Sequence, residues 1–160
     1  MQIDLSRINI REIGSNEVEL LTTYRMAYLT EMQGERDEEY QQKLKSELNQ
    51  YFSDALAEKR FFAFLAELNG EILSFGGMVL KKIPGDFNQS SYLEGDILNM
   101  YSLPFARRKG ISALILQQLL NEAMKRGVSK VSLHTSKDGE KLYRKFGFND
   151  PLYPVLELCL

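Results

Sequence analysis

Ser102-Leu103-Pro104-Phe105-Ala106-Arg107-Arg108-Lys109-Gly110-Ile111-Ser112 joins an apolar strand to a long helix. Upstream, Asp96 to Tyr101 reads as a buried strand that stops at Pro104. Downstream, Ala113, Leu114, Leu116, Leu119, Leu120 and Ala123 recur at helical spacing. Between them Arg107, Arg108 and Lys109 precede a glycine that opens the helix. The first amides of a helix have no intrahelical partner and carry partial positive charge, so this corner suits a phosphate. Gly110 lets a ligand approach the main chain with no Cβ in the way. The corner is therefore read as a pyrophosphate site.

The whole chain bounds what such a site serves. Its 160 residues favour a single domain spanning residues 1–160, with a core that needs no metal or disulfide. Apolar content of 44% and charged content of 26% are those of a globular protein. A net charge of −2 argues against a nucleic-acid binder, which needs a broad cationic surface. Cys159 is the only cysteine, so neither an intramolecular disulfide nor a thiolate-rich metal site can form, and no metal is expected. Met1 to Ile10 lacks the apolar core of a signal peptide, and no apolar run is long enough to cross a bilayer. A cytoplasmic protein with no membrane partner is the expectation.

In chain order, Ile8–Ile13 reads as a first strand, ended by Gly14-Ser15-Asn16. Glu17–Glu31 carries one helical face of Leu20, Leu21, Tyr24, Ala27 and Tyr28, and Gly34 breaks it. Glu35–Lys59 is a second helical region with a thin stripe of Tyr40, Leu44, Leu48, Tyr51 or Phe52, and Ala55. Phe61–Leu68 and Glu71–Lys81 form a hairpin about Asn69-Gly70, and Gly76-Gly77 signals a bulge or a close backbone approach. A polar loop over Ile83–Ser91 precedes the strand that reaches the corner. After the helix, closed by Gly127, come a strand over Val128–Ser136, a helix over Lys137–Lys145, and a last strand over Val155–Leu160. The strand–helix–strand unit from 95 to 136 predicts a parallel pair within an otherwise antiparallel sheet. The fold class is mixed α/β.

Two segments carry a family resemblance. The corner presents Ser102, Pro104, Arg107, Gly110 and Ser112 where the GNAT superfamily of acyl-CoA-dependent N-acyltransferases has Val-x-Pro-x-x-Arg/Gln-x-x-Gly-x-Gly/Ala. Leu142-Tyr143-Arg144-Lys145-Phe146-Gly147-Phe148 is similar to the family's Leu-Tyr-Glu-Lys-x-Gly-Phe, and the element order matches from end to end. The resemblance implies a mainly antiparallel sheet with a splayed parallel pair, and acetyl-CoA as co-substrate. The amides of Arg108, Lys109, Gly110, Ile111, Ser112 and Ala113, after Arg107, would hold the pyrophosphate. The backbone of Met100, Tyr101 and Ser102 would pair with the pantetheine like one more strand. Ser136 stands where many relatives carry an asparagine that contacts the coenzyme.

The resemblance also makes Tyr143 the general acid that protonates the departing thiolate, although a packing role beside Phe146 is the alternative. A phenol near pKa 10 donates that proton without being ionised at neutral pH. Glu94 and Asp96 lie two apart on one strand face, and Glu31 ends the first helix. Glu94 is the candidate base acting through water; a solvated strand start is the alternative reading of the acidic pair. His134, the only histidine, is read as a packed or hydrogen-bonded residue. Ser112, where glycine or alanine is usual, would either donate to phosphate or loosen the fit by its bulk.

The expectation is an N-acetyltransferase moving an acetyl group to a primary amine, small molecule or peptide, by direct attack in a ternary complex. The alternative is a non-catalytic acyl-CoA-binding or regulatory module. Dimers are common among such relatives, and an exposed edge on the last strand would supply a homodimer contact. The acceptor's identity is not written in the corner.

Overall fold

In the computed structural model, which describes residues 3–160, five strands form one sheet in the order β1-β2-β3-β4-β5. These are β1 (Asn9–Glu12), β2 (Phe61–Leu68), β3 (Glu71–Pro84), β4 (Ser91–Ser102) and β5 (Lys130–Ser132). The first four pair antiparallel, and β4 pairs β5 in parallel. Met1 and Gln2, the start of the stretch read for a leader, lie outside the described residues. The β2–β3 hairpin turns on Asn69 and Gly70, both at positive φ (+53° and +81°). That is what a two-residue turn demands if its twist is to match the strands.

Four helices complete the fold: α1 (Val18–Gln33), α2 (Glu38–Ala57), α3 (Ile111–Lys125) and α4 (Lys137–Lys145). Helices cover both faces of the sheet, and β2 shows this in its sequence. Phe62, Phe64 and Ala66 pack toward α3 with Ile111, Ile115 and Leu119. Phe61, Ala63 and Leu65 pack on the other face with Leu21 of α1 and Phe52 and Ala55 of α2. A strand covered on both faces must be apolar without alternation, hence the unbroken run Phe61–Ala66. Of the two aromatics offered by the α2 stripe, Phe52 is buried and Tyr51 exposed.

Gly76 and Gly77 mark the expected bulge, and what approaches them closely is side chains, not another backbone. The β3–β4 register shifts between Phe75 and Gly77. A Cβ on Gly76 would meet Met100 Sδ at 2.5 Å and Ile115 Cγ2 at 2.8 Å, and one on Gly77 would strike the Phe61 ring. The missing side chain of Gly76 lets α3 lie close on the sheet, and that of Gly77 makes room for the Phe61 ring on the opposite face.

The structure corrects three boundaries. The predicted loop over 83–91 is trimmed to 85–90: β3 runs to Pro84 and β4 starts at Ser91, with Asp86 Oδ1 closing the turn by accepting from the amides of Asn88 and Gln89. The strand expected over 128–136 is reduced to Lys130–Ser132, because only these residues find ladder partners on β4. No strand forms over Val155–Leu160. The alternation there equips the segment for pairing, but a strand needs a partner edge, and among the described residues none pairs with it.

Candidate active site

The sheet opens where the site is expected. β4 meets β5 only through Glu94–Asp96 against Lys130–Ser132. From 97 to 102 β4 continues with no strand paired on that side, which leaves a gap in the ladder there. At Asn99 the backbone enters the left-handed region (φ +60°), beside the register shift of the β3–β4 ladder. Asparagine tolerates this conformation better than other residues with a Cβ. Sequence reasoning passed over Asn99 as an ordinary strand residue. An Asn inside an apolar strand was the available signal.

The corner is held by its own side chains. Gly110, at φ +79°, turns the chain into α3, and buried Ile111 anchors the first turn in the core. Arg108 is also left-handed (φ +60°). Arg107 folds back: its Nε donates to Ser102 O at 2.9 Å and Nη2 to Glu31 Oε2 at 2.6 Å, with the guanidinium 5.5 Å from the Tyr101 ring centre. The Ser112 hydroxyl bonds Ser102 Oγ at 3.0 Å, which in turn bonds Ser74 Oγ at 2.8 Å. Ser112 therefore fits as a hydroxyl bridge between α3 and β4. Ser74 joins that chain and was not anticipated.

Tyr143 sits half-buried on α4, edge-on to Phe148 at 5.8 Å and over the face that Gly139 leaves open. Burial, and then the nearby Tyr28 phenol, raise its pKa above the ordinary 10.0. It is therefore protonated throughout the neutral range. Tyr28 itself stands edge-on to Tyr101 at 6.3 Å, joining α1 to β4 beside Tyr143. Ser136 caps α4, its Oγ accepting from Gly139 N at 3.2 Å. That bond alone explains a serine at this position.

The acidic candidates are each paired. Glu94 reaches Lys130 Nζ at 3.1 Å across the parallel pair, at the closed end of the gap. Asp96 reaches Lys81 Nζ at 2.7 Å, on the other neighbouring strand. Glu31 holds Arg107, and this partner lowers its pKa from 4.5, making it a weaker base. His134 is fully exposed, its ring 3.8 Å from Glu157. The helices also bring Arg25 to Asn99, a pair that sequence reasoning missed. Among the described residues no three His, Cys, Asp or Glu side chains cluster as a metal site. None of their helices is long and apolar enough to cross a membrane. A cleft of about 630 Å³ between Glu12, Leu56, Lys59, Leu93 and Arg126 shares no residue with the corner.

The fold and this corner are those of a known class, and the acetyltransferase (GNAT) family model matches residues 22–148. The chain belongs to that family. No curated protein sequence matches it. Among solved structures, a predicted acetyltransferase from Clostridium acetobutylicum, determined with acetyl-CoA, is 30% identical over 95% of this chain and 96% of its own (TM-score 0.82). A GCN5-related N-acetyltransferase from Ralstonia eutropha is 23% identical over 94% and 98% (TM-score 0.75). Glucosamine-6-phosphate N-acetyltransferase from Arabidopsis thaliana shares the fold at 16% identity over 94% and 97% (TM-score 0.67).

Proposed function

We propose that the protein transfers an acetyl group from acetyl-CoA to a primary amine by direct attack in a ternary complex. The observation that carries this reading is the gap itself: a strand edge left unpaired from 97 to 102 leads straight into a helix N-terminus opened by Gly110. The edge suits the amides of a pantetheine arm, and the helix start suits its pyrophosphate. Met100, Tyr101 and Ser102 supply the edge. The amides from Arg108 to Ala113 supply the phosphate cradle, with Ser136 at the start of α4 as a further polar group. Because Arg107 is spent on Glu31 and Ser102, it shapes the cradle and leaves anion binding to the main chain.

The amine nitrogen attacks the thioester carbonyl, the C–S bond breaks, and the thiolate takes the proton of the Tyr143 phenol. Raised above 10.0, that phenol stays protonated until the sulfur becomes a strong enough base to take its proton. Glu94, fixed by Lys130 at the closed end of the gap, takes the amine's proton through water. The amine acceptor, small molecule or peptide, approaches from the side of α1. With a single cysteine, which allows no intramolecular disulfide, the cytoplasm is the proposed compartment.

Tyr143→Phe tests the chemistry. Thiol release from acetyl-CoA is measured over an amine panel, with coenzyme affinity by calorimetry. The expected result is turnover reduced by about 10²–10⁴-fold with affinity unchanged. Unchanged turnover sinks the acid role. Coenzyme binding with no working acceptor favours a regulatory module over an enzyme.

A further inference from the structure

Arg25 carries a charge that its surroundings do not balance. Its guanidinium is half-buried, and burial pulls its pKa below the usual arginine value. The groups opposing that shift are the phenols of Tyr28 and Tyr51, not carboxylates. By contrast Arg11, Arg107, Arg126 and Arg144 each hold an acid. Among the described residues the one hydrogen bond of Arg25 runs from Nη1 to Asn99 Oδ1, at 2.5 Å. Asn99 is 5% exposed, and its Nδ2 has no acceptor at all. The amide has turned its only acceptor to the cation, so what remains at this spot is donors: the other guanidinium N–H groups and the amide. Such groups are costly to leave unmet away from water. Arg25 lies 5.8 Å from the Tyr28 ring centre, and Tyr28 stands edge-on to Tyr101 and is near enough to Tyr143 for its phenol to act on that group's pKa.

We propose that Arg25, held in place by Asn99, receives an anionic group, carboxylate or phosphate, on the amine acceptor. This rests on the acetyl-transfer reading above. A planar guanidinium fork matches either anion, which neutral or polycationic amines lack. The test uses matched pairs: amino acids against their carboxamides, and phosphoethanolamine against ethanolamine. Binding is measured by calorimetry with coenzyme A present, and turnover by thiol release with acetyl-CoA. The anionic member of one pair is expected to bind at least about 10-fold more tightly, and the pair that shows it identifies the anion. Arg25→Gln erases the difference while coenzyme affinity holds. Asn99→Asp, which gives Arg25 its own carboxylate, erases it without emptying the space. No preference in either pair overturns the proposal. So does Arg25→Gln slowing both members equally, since the guanidinium would then serve the thioester carbonyl. Arg25-dependent binding without turnover supports the anion site and refutes acetyl transfer.

Discussion

Gly76→Ala connects the packing of the sheet to the corner that α3 presents. The backbone at Gly76 lies outside the positive-φ region, so alanine brings no conformational strain. Only space opposes it. The new Cβ meets Met100 Sδ at 2.5 Å, Ile115 Cγ2 at 2.8 Å and Leu119 Cδ1 at 3.2 Å. Met100 is flexible and gives way. Ile115 and Leu119 are fully buried on α3, so the helix must lift with them. Overpacking of this kind costs about 1–3 kcal/mol, offset by about 0.5 kcal/mol from the stiffer unfolded chain. A net loss near 1–2 kcal/mol lowers the melting midpoint by roughly 3–8 °C in a domain of this size. Because Gly110 and Ile111 begin the same helix, acetyl-CoA affinity should fall as well. Ile115→Leu removes the offending γ-methyl at constant volume, so the double variant should recover both quantities beyond additivity. Thermal denaturation and calorimetric titration of the four proteins give the answer. A Gly76→Ala protein as stable as wild type, or penalties that simply add, would refute the reasoning.

Three further outcomes are expected. Asp37→Ala removes the cap that accepts from Tyr40 N at 2.9 Å and should cost about 1 kcal/mol in denaturant titrations, with coenzyme binding untouched. Arg107→Gln breaks a pair whose side chains are each about 40% exposed, so it should cost less than about 1 kcal/mol. The Glu31 carboxyl it releases is lowered by Arg107, so this contribution is full above the ordinary 4.5 and vanishes as pH falls through the lowered value. The wild-type and Arg107→Gln stabilities should therefore converge in acid. Tyr143 is raised above 10.0, so the alkaline limb of a pH–rate profile should lie beyond that value, with rate rising through the neutral range as the amine loses its proton. A downturn below pH 9 would assign the acid to another group.

How much of this could be read from the chain depends on how local the cause was. The hairpin at Asn69-Gly70 and the helix opened by Gly110 are fixed by φ, which glycine and asparagine announce in sequence. The two-sided burial of β2 is equally plain from Phe61–Ala66. What failed was anything set by pairing across space. Val131 and Leu133 alternate as a strand should, yet β5 stops at Ser132, since nothing on β4 beyond Asp96 pairs with it. Val155–Leu160 alternates too, and no edge of its own chain receives it. In the site, the order of residues 102–112 was legible, but the partners were not. Arg107 finds Glu31 across 76 positions, and Arg25 finds Asn99 across 74. No spacing rule reaches so far.

Those two long-range contacts divide the site between its ligands. Both arginines come from outside the gap and end on β4, one at Ser102 and one at Asn99, at either end of Met100 and Tyr101. Arg107 is balanced by Glu31, so its own charge is spent there and the corner offers helix-start amides to a phosphate. At the other end Arg25 meets only a neutral amide and keeps its charge. A site built for the donor alone would have no use for a cation there. Exchanging the two environments separates their roles. An acid at Asn99 should weaken acceptor binding and spare the coenzyme, whereas Glu31→Gln should leave Arg107 unbalanced and tighten the hold on a phosphate-bearing donor. Measured affinities for coenzyme A and its dephosphorylated fragment pantetheine discriminate. If Glu31→Gln strengthens pantetheine as much as coenzyme A, the corner is not where the phosphates lie.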